Sequence, residues 1–188
     1  MYYLGLDVGS SSVKAALVEA KSGKSIQSVH EPKNEMSISS LKNDWAEQDP
    51  NVWWKYTCTA IKRVCKESNI DPKKIISIGI SYQMHGLVIV DKNGEPLRDS
   101  IIWCDSRAVN IGNDAYEKLG EDKCMSHLLN SPGNFTASKL KWVKENEPEV
   151  YEKTYKYMLP GDFIAYKLTG EINTTRNGLS EGIIWDYK

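Results

Sequence analysis

The order of apolar runs along this 188-residue chain predicts an α/β protein, a mixed β-sheet with helices packed on it. Three observations predict it. Near the N-terminus, three short runs rich in β-formers are separated by tight turns, the pattern of an antiparallel meander. A capped helix follows, and then further extended apolar runs. The second half of the chain turns largely helical. Strands and helices do not alternate regularly, which argues against a wholly parallel sheet.

The elements follow in order. Residues 2–8 form the first strand and stop at Gly9, residues 13–18 the second, and residues 25–29 the third after the turn Ser22-Gly23-Lys24. Residues 32–48 lack a clear period and read as a loop. Asp49-Pro50 opens a helix, with Asp as cap and Pro in the first turn. Val52, Trp53, Tyr56, Ile61 and Val64 follow at roughly helical spacing, and residues 69–72 end the helix. Residues 74–81 carry Ile75, Ile76, Ile78 and Ile80 and read as a strand. Residues 87–90 make another, closed by Lys92-Asn93-Gly94, and residues 101–103 a short one. A helix is expected from Asp105 to about Leu119, where Gly120 stops it, and a second over residues 137–146. Residues 155–159 are extended. Pro160-Gly161-Asp162 then begins a helix through Leu168 that Gly170 closes. The charged run over residues 141–152 reads as a solvated helix face.

Composition narrows the function. Hydrophobic residues make up 40% and charged residues 26%, the balance of a globular domain rather than a disordered segment. A chain of this size can bury about 70% of its unfolded surface without staples. Twenty-four basic against 25 acidic residues leave a net charge of −1, which speaks against nucleic acid or a membrane surface as partner. No apolar run approaches the roughly 18 residues of a membrane span. The opening Met1-Tyr2-Tyr3-Leu4-Gly5-Leu6-Asp7 is not a signal peptide, so a cytoplasmic location is expected. Cys58, Cys65, Cys104 and Cys124 form no Cys-x-x-Cys pair and suit reduced, mostly buried thiols.

Four segments can carry chemistry. In Gly5-Leu6-Asp7-Val8-Gly9-Ser10-Ser11-Ser12-Val13-Lys14, an acid ends one strand and a Gly-Ser turn leads into the next. The amides and hydroxyls of Gly9, Ser10, Ser11 and Ser12 can hold phosphate oxygens, Gly9 offers backbone angles closed to other residues, and Asp7 can orient a hydrated Mg²⁺. A plain hairpin turn is the other reading. Gln83-Met84-His85-Gly86 lies between two apolar strands, where Gln83 and His85 either hydrogen-bond a polyol or simply connect the strands. In Trp103-Cys104-Asp105-Ser106-Arg107, the indole suits the C–H face of a sugar and the charged pair its hydroxyls. Equally, Trp103 is a core residue, Asp105 a helix cap and Arg107 a solvated cation. Residues 130–140 read first as a loop feeding a capped helix.

Together these segments resemble the FGGY carbohydrate kinases. Gly5-x-Asp7-x-Gly9-Ser10-Ser11-Ser12-x-Lys14 is similar to that family's opening, and Trp45-Ala46-Glu47-Gln48-Asp49-Pro50 with Trp53-Trp54 to the stretch that follows. Gln83-Met84-His85-Gly86 resembles the xylulokinase branch. Ile102-Trp103-Cys104-Asp105-x-Arg107, the run from Pro132 to Leu140, and Leu168-Thr169-Gly170-Glu171 are also similar, all in the family's order.

The resemblance implies a ribonuclease H-like, actin-like ATPase domain, with ATP and Mg²⁺ as co-substrate and metal. It implies that Asp7 and residues 9–12, with Lys14, face the ATP phosphates and Mg²⁺. Gln83, Met84 and His85 would contact the ketose, and Trp103, Asp105 and Arg107 would build its wall. The implied reaction moves the γ-phosphoryl of ATP to the terminal hydroxyl of D-xylulose, giving D-xylulose 5-phosphate. Residues 1–188 would be part of the N-terminal, sugar-side domain, with the nucleotide domain and the catalytic Asp beyond them. The chain alone is therefore expected to be inactive and, with apolar interface surface uncovered, to pair as a homodimer. Residues 174–182, Thr-Thr-Arg-Asn-Gly-Leu-Ser-Glu-Gly, differ from the acidic, Ser/Ala-rich stretch of many members. The alternatives are a non-catalytic sugar-binding module, an actin-like assembly protein, and a kinase for gluconate, ribulose or glycerol.

Overall fold

The computed structural model describes all of residues 1–188. Eight strands are present: β1 (Tyr2–Val8), β2 (Val13–Glu19), β3 (Ser25–Glu31), β4 (Glu47–Gln48), β5 (Ile75–Tyr82), β6 (Val88–Val90), β7 (Ser100–Ile101) and β8 (Lys156–Met158). The helices are α1 (Pro50–Glu67), α2 (Val109–Leu119), α3 (Glu121–Lys123, running into a π turn at Cys124–Leu128), α4 (Thr136–Asn146), α5 (Pro148–Lys153), α6 (Pro160–Thr169) and α7 (Arg176–Glu181). None is long and apolar enough to cross a membrane. The chain divides into two compact units, Met1–Ser37 with Asn51–Gln83, and Ile38–Pro50 with Met84–Lys188.

The first unit is the meander with one helix. Its sheet runs β3-β2-β1-β5, with β1 antiparallel to β2 and parallel to β5. Alternation sets the core face: Leu4, Leu6 and Val8 of β1 and Val13, Ala15 and Leu17 of β2 are buried, as period-2 geometry requires. Helix α1 adds Trp53, Thr57, Ala60 and Val64, a stripe at helical spacing and fully buried. Arg63 ties α1 to β3: its guanidinium lies 2.8 Å from Glu31 and 2.7 Å from Glu67. Strands β3 and β5 are the two sheet edges, and Ile76 and Ile78 of β5 are exposed.

The second unit is helical around two small antiparallel ladders, β4 with β7 and β6 with β8. Leu87, Ile89, Ile101 and Val143 form its buried centre. Several expectations are corrected here. The helix expected from Asp105 begins at Val109, because residues 105–108 are used in turns around a buried carboxylate. The charged run over residues 141–152 is not one face, since Pro148 starts a new helix. Strand β4, the π turn and α7 carry no strong periodic signal in the sequence. All four cysteines are free thiols, and Cys104 is exposed.

Candidate functional site

The turn between β1 and β2 lies in the first unit. The Gly9 N–H donates to the Ser12 carbonyl at 3.0 Å, and the Met36 N–H donates to the Ser11 carbonyl at 2.8 Å. Gly9 is not in the left-handed region as expected: among glycines that region is taken by Gly23, Gly94, Gly120, Gly133 and Gly170. A close approach explains Gly9 instead, because a Cβ there would sit 3.2 Å from the Ser12 carbonyl oxygen. Asp7, half-exposed at the end of β1, lies 3.3 Å from the Lys14 ammonium, its partner across the ladder. A single half-exposed carboxylate suits a Mg²⁺ that would be held largely through water rather than by a cage of protein ligands.

Gln83 closes the same unit. Its N–H donates to the Val8 carbonyl at 2.9 Å and prolongs the β1–β5 pairing. The side chain is buried, and neither its amide nitrogen nor its oxygen has a hydrogen-bond partner. An unpaired buried carboxamide costs about 1–3 kcal/mol.

In the second unit, one ammonium joins two loops. Lys139 of α4 is fully buried, and its Nζ donates to the carbonyls of His85 (2.8 Å) and Ile102 (2.9 Å). Burial pulls its pKa from the usual lysine range to about 8, opposed by the nearby Asp105. The residues flanking these carbonyls face solvent: Met84 is 55% and Trp103 50% exposed. His85 stands between them with φ +61°, its ring 4.2 Å from that of Phe135. The Thr136 hydroxyl donates to the Gly86 carbonyl at 3.3 Å. A side chain at Gly86 would strike Pro160, its Cβ 2.5 Å from that ring. The loop therefore has a fixed shape, which a binding residue on a loop requires.

Asp105 and Arg107 take a different place from the one expected. Asp105 is 0% exposed, and its carboxylate accepts from the Ala46 N–H (2.6 Å), the Arg107 N–H (3.0 Å) and the Arg107 guanidinium (2.6 Å at Nη2). Arg107 also meets Glu47 at 2.7 Å and lies over the rings of Trp45 (3.7 Å) and Trp142 (4.8 Å). Glu47 bonds Arg98 as well, which reaches Glu147 at 3.1 Å. This buried knot of ion pairs braces the turn that presents Trp103. Asp105 is not a cap of α2, whose first residue is Val109, and Arg107 is not a solvated cation: both side chains are buried and paired with each other.

Glu181 was missed by residue type and position, since nothing in the sequence pairs it with His85. It ends α7, and the Gly182 carbonyl next to it accepts the Ala137 N–H at 3.0 Å. From there one carboxylate oxygen accepts the His85 N–H at 2.5 Å and lies 3.3 Å from Nδ1 of the ring. A cavity of about 400 Å³, bordered by Tyr155, Tyr157, Asp162, Thr174 and Leu179, touches Thr136 but not Met84, His85, Trp103 or Glu181.

A mixed sheet with packed helices, carrying an acid–glycine–serine turn and a Gln-Met-His-Gly loop, defines a class, the actin-like ATPase domain of a carbohydrate kinase. The family model for the N-terminal domain of the FGGY carbohydrate kinases matches residues 2–186, and the chain belongs to that family. It is 33% identical over its whole length to a xylulose kinase of Staphylococcus xylosus, covering 38% of that protein. It is 36% identical over 178 residues to the xylulose kinase of Bacillus subtilis, covering 92% of this chain and 34% of the relative. Among solved structures, a xylulose kinase from Brucella ovis superposes with a TM-score of 0.88 at 31% identity, over 97% of this chain and 37% of the other. A gluconate kinase from Lactobacillus acidophilus superposes equally well, with a TM-score of 0.88 at 27% identity over 100% of this chain and 37% of its own. The chain thus spans less than two fifths of these relatives' length.

Proposed function

We propose that residues 1–188 form most of the sugar-side, N-terminal domain of an ATP-dependent ketose kinase, with D-xylulose as substrate and D-xylulose 5-phosphate as product. The observation that carries this reading is the pair of loops held by Lys139, which present Met84, His85 and Trp103 from one rigid support. An exposed indole suits the C–H face of a neutral sugar, and imidazole its hydroxyls. Gln83, whose buried carboxamide is unpaired, is taken separately as a hydroxyl-reading group at the end of the first unit. Both xylulose kinases of similar sequence support the ketose over gluconate, which an anion-binding pocket would serve better.

Asp7 would hold a hydrated Mg²⁺, and the amides and hydroxyls of Gly9, Ser10, Ser11 and Ser12, with Lys14, would receive ATP phosphate oxygens. When bound, Mg²⁺ neutralises charge on the phosphoryl group in transfer. No carboxylate among these residues is assigned as the base that takes the hydroxyl proton. That base and the nucleotide domain belong to the remainder of a full-length kinase, which works in the cytoplasm. Uncovered Ile76 and Ile78 favour a homodimer of the isolated chain, which light scattering checks.

Calorimetric titration of the chain with D-xylulose, D-ribulose, D-gluconate and glycerol tests the substrate. D-xylulose should bind tightest. Tighter binding of gluconate, or of no sugar, would overturn the assignment.

A further inference from the structure

Glu181 makes two contacts with one residue. Its Oε1 accepts the backbone N–H of His85 at 2.5 Å and lies 3.3 Å from Nδ1 of the same imidazole. Carboxylate and ring are each about three-quarters buried, at 23% and 24% side-chain exposure. The His85 carbonyl is fixed from the other side by the Lys139 ammonium at 2.8 Å. The ring lies against Phe135 at 4.2 Å. His85 is thus gripped at its amide, its carbonyl and its ring, and this grip holds a non-glycine residue at φ +61°, a conformation that costs about 1–3 kcal/mol.

A carboxylate can only accept. The Nδ1···Oε1 approach lies outside hydrogen-bond geometry, but an Nδ1 lone pair facing a carboxylate oxygen 3.3 Å away is repelled, so a neutral imidazole here favours its proton on Nδ1 and Nε2 becomes an acceptor. We propose that Glu181 is the positioning residue of the sugar loop, one that fixes His85 as the Nδ1–H tautomer so that Nε2 accepts a hydrogen bond from a substrate hydroxyl. This rests on the reading of His85 as a sugar contact. It adds which way the hydrogen bond runs: the loop selects a hydroxyl donor at that point and disfavours a group that only accepts, such as a carboxylate. A positioning role also explains why α7 is anchored at both ends. Thr175 caps it through the Gly178 N–H at 3.0 Å, and Gly182 is bonded to α4.

Imidazole nitrogen NMR of the 188-residue chain, at a pH where His85 is neutral, reads the tautomer directly. The wild-type chain should show a pyrrole-type Nδ1 and a pyridine-type Nε2 for His85. E181Q keeps an acceptor oxygen and should keep that pattern, with D-xylulose affinity within about threefold of wild type. E181A should shift His85 toward the Nε2–H form and weaken D-xylulose by about tenfold. A protonated Nε2 in the wild-type chain, or one tautomer common to wild type and E181A, would overturn the proposal. If E181A does not fold, the wild-type and E181Q spectra still decide. Should the wild-type chain bind no sugar while showing the Nδ1–H form, the tautomer assignment stands and the sugar reading fails.

Discussion

Asp105 and Trp103 are two residues apart and do opposite work. Asp105 is sealed in an ion-pair knot, while Trp103 is half-exposed. Removing one partner of a buried pair leaves the other uncompensated, so Asp105→Ala should cost about 3–5 kcal/mol in urea denaturation. Trp103→Ala should cost under about 1 kcal/mol and abolish sugar binding. His85→Gly relieves a left-handed backbone while adding chain entropy, so stability should change by less than about 1 kcal/mol and binding should be lost. Lys139 gives a pH signature. Its folded pKa, about 8, lies below the unfolded lysine value. Between roughly pH 8 and 10.5 the unfolded chain holds a proton the folded one has released, so stability contributed by this group rises with pH. The stability difference between wild type and Lys139→Met should therefore widen across that window in paired denaturation curves. A flat difference would show that Lys139 titrates normally.

At the level of elements, alternation and capping carry most of the information. The meander, α1, β5 and α6 are legible because each has a strong period and a Gly or Pro boundary. Residues 105–108 misread as helix because Asp before a polar run looks like a cap. Its partners, Ala46 and Glu47, are far away in sequence, so no local pattern reveals them. Glu181 and α7 are hidden for the same reason, since a six-residue helix has no measurable period and its importance lies in reaching His85. Helix α2 also meets the loop before α4 closely. A Cβ on Gly112 would overlap the Gly133 carbonyl, and backbone cannot rotate away as a side chain can. Gly112→Ala should accordingly destabilise by about 1–3 kcal/mol and disturb the loop that carries Asn134 and Phe135.

For the molecule as a whole, the family is marked by an ordered series of motifs over residues 2–186, and the proposed specificity rests on a few loop atoms. The mixed sheet was legible from strand order, whereas its division into two compact units was not. The chain spans less than two fifths of its relatives' length, and the proposed function predicts that the 188 residues alone release no ADP from ATP with D-xylulose present. The most direct measurement is amide and indole chemical-shift mapping of the chain during D-xylulose titration. Perturbations are expected at Met84, His85, Gly86 and the Trp103 indole, with the knot of Asp105 and Arg107 little moved. Perturbations confined to the cavity bordered by Tyr155, Tyr157 and Thr174, with the His85 and Trp103 signals unmoved, would contradict it.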